Sequence, residues 1–151
     1  MRLTYHTDYA LRVLVYLAVN TGKPTRVSDV ADSYGISRNH LLKVALRLGR
    51  LGYLTTLRGR SGGIALARQP EEINHGEVVR NMEDEFALVE CMRLDGGECV
   101  ISPACRLKGV VRKALEAFLS VFDDYSLADL ARNRGALAEL LALPGASLKP
   151  A

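Results

Sequence analysis

Apolar residues recur at helical spacing from the start of the chain. Leu11, Leu14, Val15, Leu17 and Ala18 line one side of a segment running from Thr4 to Val19, and Asp8 and Arg12 stand one turn apart on it. Asn20, Thr21, Gly22 and Pro24 break that helix. A short second helix is expected over Arg26 to Tyr34, with Thr25 as its cap, Val27, Val30 and Ala31 inward, and Gly35 as its stop. Ser37 then opens a third helix to about Leu51. Its stripe of Leu41, Leu42, Ala45, Leu48 and Leu51 leaves Arg38, Asn39, His40, Lys43, Arg47 and Arg50 mostly outside. Two helices joined by a tight turn at Gly35 and Ile36 read as a helix-turn-helix.

The period then changes. Tyr53 to Arg58 (YLTTLR) and Ile64 to Arg68 (IALAR) are short strand-like runs around a glycine-rich tip, which together predict a β-hairpin in the position of a wing. The tip is no nucleotide loop, because no Gly-Lys-Ser/Thr follows and no strand feeds a helix there. Beyond Pro70 a helix of about Asn74 to Glu85 leads into a loop from Cys91 to Cys105 that contains Gly96, Gly97 and Pro103. A long helix to about Phe122 follows, with apolar residues at 107, 110, 111, 114, 115, 118, 119 and 122. That breadth exceeds one stripe, so two faces need cover. Too little chain remains to wrap it, and a second copy is the simplest cover, giving a symmetric homodimer. Ser126 to Asp129 starts a last short helix to Arg132, and Pro144 to Ala151 reads as a frayed tail. The expected fold class is mainly α with a small β-hairpin: a winged helix-turn-helix domain plus a long dimerisation helix. Residues 1–70 form the DNA-binding domain, 71–105 the connecting helix and cysteine loop, and 106–143 the dimerisation helix and C-terminal helices.

Composition narrows the class. With 151 residues, 48% of them apolar and 25% charged, the chain belongs among ordinary folded proteins. Its longest unbroken apolar run, Val13 to Val19, falls far short of the roughly 20 residues a membrane-spanning helix needs. Charges punctuate the first helix where a secretory signal would be apolar, so a cytoplasmic location is expected. Charge is split along the chain: residues 1–70 carry 11 Lys/Arg against 3 Asp/Glu, and residues 71–151 carry 9 against 14. A basic N-terminal half suits a polyanion. Arg38, Asn39 and His40 stand where helix-turn-helix proteins meet base edges, Ser37 before them joins the DNA-binding set, Lys43 and Arg47 suit phosphates, and Arg58 and Arg60 flank a tip able to enter a minor groove. Any one of these is most simply a solvated charge. The ordered set of helix, turn, basic helix and basic wing points to double-stranded operator DNA.

Cys91, Cys99 and Cys105 are spaced Cys-x7-Cys-x5-Cys. An odd, clustered count argues against a disulfide framework, and no tight pair of the structural-zinc kind occurs. Wide loops through glycine and proline suit a larger thiolate-held inorganic core, and Cys105 lies near a helix N-terminus, whose dipole favours anionic groups. A disulfide redox switch is the rival. Thiol-redox enzymology lacks support, since neither Cys-x-x-Cys nor a βαβ pattern is present, so no enzymatic activity is expected. Three thiolates leave a four-iron cluster one ligand short, and His6, His40, His75, Asp8, Asp84, Glu85 and Glu90 are all available.

The opening MRLTYHTDYALR to Arg12, the segment YGISRNH over 34–40, the wing RGRSGG over 58–63, ACRLK over 104–108 and YSLADL over 125–130 resemble the Rrf-type winged-helix regulator family, within it the nitric-oxide-sensing iron–sulphur repressors. The resemblance reaches about residue 140. It implies a homodimer paired through the long helices, with Cys91, Cys99 and Cys105 of each protomer holding a [4Fe-4S] cluster whose fourth ligand is Asp8 of the other protomer. It also implies Arg58 as the wing arginine, nitric oxide as the signal, and release of operator DNA as the response. A related branch of the family, with a [2Fe-2S] cluster, has a histidine three residues after its third cysteine. Lys108 stands there, which disfavours the [2Fe-2S] form. The alternative is a related regulator that senses iron–sulphur supply or thiol oxidation through the same cysteines.

Overall fold

A computed structural model describes residues 2–59 and 62–143. The winged half is built from α1 (Tyr5–Val19), α2 (Val27–Tyr34), α3 (Arg38–Arg50) and an antiparallel pair, β1 (Leu54–Leu57) and β2 (Gly63–Leu66), in which Leu54 faces Leu66 and Leu57 faces Gly63. A connecting helix α4 (His75–Met82) leads to the cysteine loop. Then come the long α5 (Arg106–Asp123), the single turn α6 (Leu127–Leu130) and α7 (Arg134–Leu140). The Arg60 tip and the tail from Pro144 lie outside the described residues.

The first helix is the centre of the molecule. Thr4 caps it by accepting the Thr7 N–H at 3.3 Å. Ala10, Val13, Leu14 and Leu17 are almost fully buried, against α3, α4, β2 and the C-terminal helices. Each such leucine or valine contributes about 1.5–3 kcal/mol by leaving water. The main core draws on all three segments of the chain: Val30, Leu41, Val44, Leu48, Tyr53 and Ile64 are joined by Ile73, Val78, Leu127, Leu141 and Leu143. Val79, Leu115 and Leu119 form a smaller core between α4 and α5, and Leu11 packs against both.

Several local expectations shift. Thr25 does not cap α2, which begins after Arg26 without a side-chain cap. Its backbone instead exchanges two hydrogen bonds with Ile64, at 2.9 and 2.8 Å, and so acts as a third short strand beside the wing. Gly63 is required there, because a Cβ would come within 2.5 Å of the Thr25 carbonyl. Ser37 precedes α3 without a side-chain cap bond. The inward stripe of α3 is Leu41, Val44, Ala45 and Leu48, whereas Leu42 is 45% exposed. α6 is shorter than the helix expected to Arg132, and α7 was not expected. α7 ties back to the winged half: Arg134 Nε donates to the Val19 carbonyl at 2.9 Å, and Ser33 Oγ to the Leu141 carbonyl at 3.1 Å.

Candidate nucleic-acid interface and cysteine loop

The turn between α2 and α3 is set by Gly35, whose φ of 63° lets its N–H and that of Ile36 close onto carbonyls at the end of α2. α3 therefore starts at Arg38 with its first turn facing outward. Ser37, Arg38, Asn39, His40 and Lys43 are all exposed, and the His40 ring lies over Tyr9 of α1 at 6.4 Å. Arg58 follows β1 and is exposed, while Arg60 lies outside the described residues. These positions form one outward set on the first turns of α3 and at the tip end of β1.

Arg47 is placed differently. Its guanidinium turns to the segment after α4, donating to Asp84 Oδ1 at 2.8 Å and to the Asn81 carbonyl at 3.0 Å. That bond to Arg47 holds the Asp84 carboxyl below the usual carboxylate range. The same segment makes two more long-range contacts. Asn81 Nδ2 donates to the buried Tyr53 hydroxyl at 2.8 Å, and Glu83 Oε1 accepts the Thr4 N–H at 2.6 Å. Residues 81–84 thus join the start of α1, the last turn of α3 and the base of the wing, seven residues before the first cysteine. Sequence reasoning missed this junction. Its only trace is an acidic run, Glu83, Asp84 and Glu85, directly after a helix in a chain whose other half is basic.

All three cysteines are free; Cys91 is buried, and Cys99 and Cys105 are half-buried. Cys105 occupies the N-cap position of α5. The loop between them is held by its own carboxylates: Glu85 Oε1 accepts the Leu94 N–H, Glu90 Oε1 the Glu98 N–H and Asp95 Oδ1 the Gly97 N–H, at 2.8–3.1 Å. Gly97 has φ of 62°, and a Cβ there would strike the Glu90 carbonyl at 2.7 Å. Among the described residues no three His, Cys, Asp or Glu side chains converge on one point as ligands to a single ion would. Thiolates around a multi-iron core stand further apart than ligands to one ion. Three free cysteines in a loop organised without them supply the donor set for such a core, so the residues fit a cluster better than a lone metal.

The candidates for a further ligand separate by what they already do. Asp84 holds Arg47, Glu85 and Glu90 hold the loop, and His40 packs on Tyr9. His75 packs against Phe122 at 5.2 Å, and burial lowers its pKa. Asp8 is 40% exposed, with its carboxylate on Arg12 of the same helix at 2.8 and 3.1 Å. It lines an open cleft with Arg2, Leu3, Tyr5 and Leu11.

One face of α5 packs Leu115 and Leu119 on α4, fixed by a two-pronged pair between Arg80 and Asp123. The other carries Leu107, Val110 and Val121, each at least 57% exposed, with Ala114 between them. No described helix is long and apolar enough to cross a membrane.

Residues 3–133 match the model of the Rrf2 family, described as an iron-dependent transcriptional regulator. The chain is 51% identical over 142 residues to the HTH-type transcriptional regulator NsrR of Bacillus licheniformis, covering 93% of this chain and 99% of that protein. Among solved structures it is similar to CymR, the global cysteine regulator of B. subtilis, with a TM-score of 0.67 and 26% identity over 87% of this chain and 97% of CymR. T. potens IscR shares the fold, with a TM-score of 0.69 and 24% identity over 88% of each chain.

Proposed function

The chain belongs to the Rrf2 family of transcriptional regulators, and from that membership and its geometry we propose a homodimeric repressor that holds operator DNA until nitric oxide reaches an iron–sulphur centre in its cysteine loop. The relatives carry names of regulators rather than enzymes, and the chain has no catalytic role in this reading. The observation that carries the proposal is the pairing of two features in one molecule: an outward set of Arg38, Asn39, His40, Lys43 and Arg58, and three free cysteines in a loop joined to α3 through residues 81–84.

Cys91, Cys99 and Cys105 of one protomer, with Asp8 of the other, would hold a [4Fe-4S] cluster; when bound, it supplies iron to which nitric oxide binds. Asp8 fits the part of a releasable ligand. A carboxylate binds iron more weakly than a thiolate does, and Arg12 already faces both its oxygens. An Asp8 that leaves an inter-protomer bond returns to that partner at little cost.

Transmission then depends on this chain's own contacts. Asp8 lies in the first turn of α1, whose capping residue Thr4 donates to Glu83. Glu83 is followed by Asp84, which holds Arg47 of the recognition helix. A shift of the α1 N-terminus is therefore passed through residues 81–84 to α3 and to Tyr53 at the base of the wing. Arg58 and Arg60 flank the wing tip that would meet a minor groove.

The test is anaerobic purification with iron and sulphide counts, followed by operator binding before and after nitric oxide. Iron and sulphide in equal amounts, lost in each of Cys91→Ala, Cys99→Ala and Cys105→Ala, together with DNA release on nitric oxide, are the expected results. Zinc in place of iron, or a reversible disulfide that controls DNA binding without iron, would replace this reading.

A further inference from the structure

The inward side of α3 is fully made by Leu41, Val44, Ala45 and Leu48, yet Leu42 and Leu46 stand 45% and 57% exposed on the same helix. At about 100° per residue, Arg38, Leu42, Leu46, Asn39, Arg50 and Lys43 follow one another around a single outward arc. The two leucines therefore lie inside the basic face, not beside it. With Val27, Leu54, Thr56 and Ile64 they line a shallow, mainly apolar groove against the wing.

Lys43 and Arg50 beside them carry the charge that phosphates require. Between phosphates, the apolar feature that a major groove offers is the C5-methyl group of thymine. We propose that Leu42 is a specificity-determining residue of this protein, packing its isobutyl group on a thymine methyl in each half-site. This rests on the reading of α3 as the recognition helix. Leu42 is favoured over Leu46 because the N-terminal turns of such a helix reach base edges, and Leu42 lies one turn beyond Arg38 whereas Leu46 lies two. No hydrogen bond is involved. The gain is the water released from two apolar surfaces.

Replacing a thymine with deoxyuridine removes that methyl and nothing else, which makes the experiment direct. The probe is the tightest duplex the protein selects from a random pool, with each thymine replaced singly. For the wild type, one thymine in each half-site should weaken binding roughly fourfold when replaced, the fold-change equivalent to about 0.8 kcal/mol. Leu42→Ala should bind the thymine and uracil duplexes equally at that position while keeping every other preference. Leu42→Met should retain the thymine preference. Leu42 is exposed, and circular dichroism checks that the variants stay folded. A selected duplex indifferent to every uracil replacement overturns the assignment to Leu42, as does a penalty that persists in Leu42→Ala. A pool that yields no enriched duplex overturns the reading of α3 itself.

Discussion

Asp8 and Arg12 show how little one exposed pair contributes to folding and how much it can matter to a signal. With both side chains at least 40% exposed, their i,i+4 contact is worth about 0.3–0.5 kcal/mol, so Asp8→Ala should move Tm by no more than about 1–2 °C. If Asp8 completes the iron site of the other protomer, the same variant should weaken operator binding by iron-loaded protein and leave metal-free protein unaffected. Fluorescence anisotropy on both forms measures this. Identical affinities for loaded wild type and loaded variant would reduce Asp8 to a surface carboxylate. The sequence already poses this choice, because spacing alone puts Arg12 one turn from Asp8. It is silent on Arg47, which is as basic and as helical as Lys43. Nothing in local spacing says that a guanidinium will turn to a carboxylate 37 residues away.

Arg47 and Asp84 link two elements, and two roles for Arg47 give different measurements. As a phosphate contact, Arg47→Ala would reduce the slope of log K against log salt by about 1. As a tie between α3 and the segment before the cysteine loop, Arg47→Ala and Asp84→Asn should behave alike: the salt slope stays unchanged, and nitric oxide releases DNA less completely. We expect the second pattern, read from salt titrations and release assays on both variants. The joint between α4 and α5 carries its own pH dependence. Burial holds the folded-state pKa of His75 below its ordinary value of about 6.5, so the unfolded chain takes up the proton first. Stability from His75 is thus present above that value and lost as pH falls below it. Asp123, held low by Arg80, loses its contribution only below the ordinary carboxylate range. Urea midpoints should fall between pH 7.5 and 5.5 and fall less in His75→Phe; an equal fall in both would assign the dependence elsewhere. At this scale the winged half was largely legible, because its helical period, the breakers at 20–24 and Gly35 are all local signals. α7 was not. Its Ala- and Leu-rich run shows no single stripe, and it is anchored by distant partners, Val19 and Ser33, that no local pattern reveals.

For the whole molecule, the long helix and the charge split bear on one question, whether two copies meet DNA together. Leu107, Val110 and Val121 are exposed along α5, and among the described residues the remaining elements cover its Leu115 and Leu119 side. This is the second face that sequence periodicity asked to have covered, and in the proposed dimer a copy of the same helix covers it. Val110→Glu and Val121→Glu each put a charge into that seam without touching the main core. Sedimentation velocity should then find monomers whose circular dichroism matches the wild type. DNA affinity should fall further than the loss of any single contact, because two linked half-sites gain from an effective concentration in the millimolar range, and uncoupling them costs on the order of 100-fold. The basic winged half remains intact in such a monomer, so weak, salt-sensitive, sequence-independent binding should persist. Dimers that survive both substitutions would place the self-association surface elsewhere. Monomers that keep wild-type affinity would show that one winged half suffices for the operator.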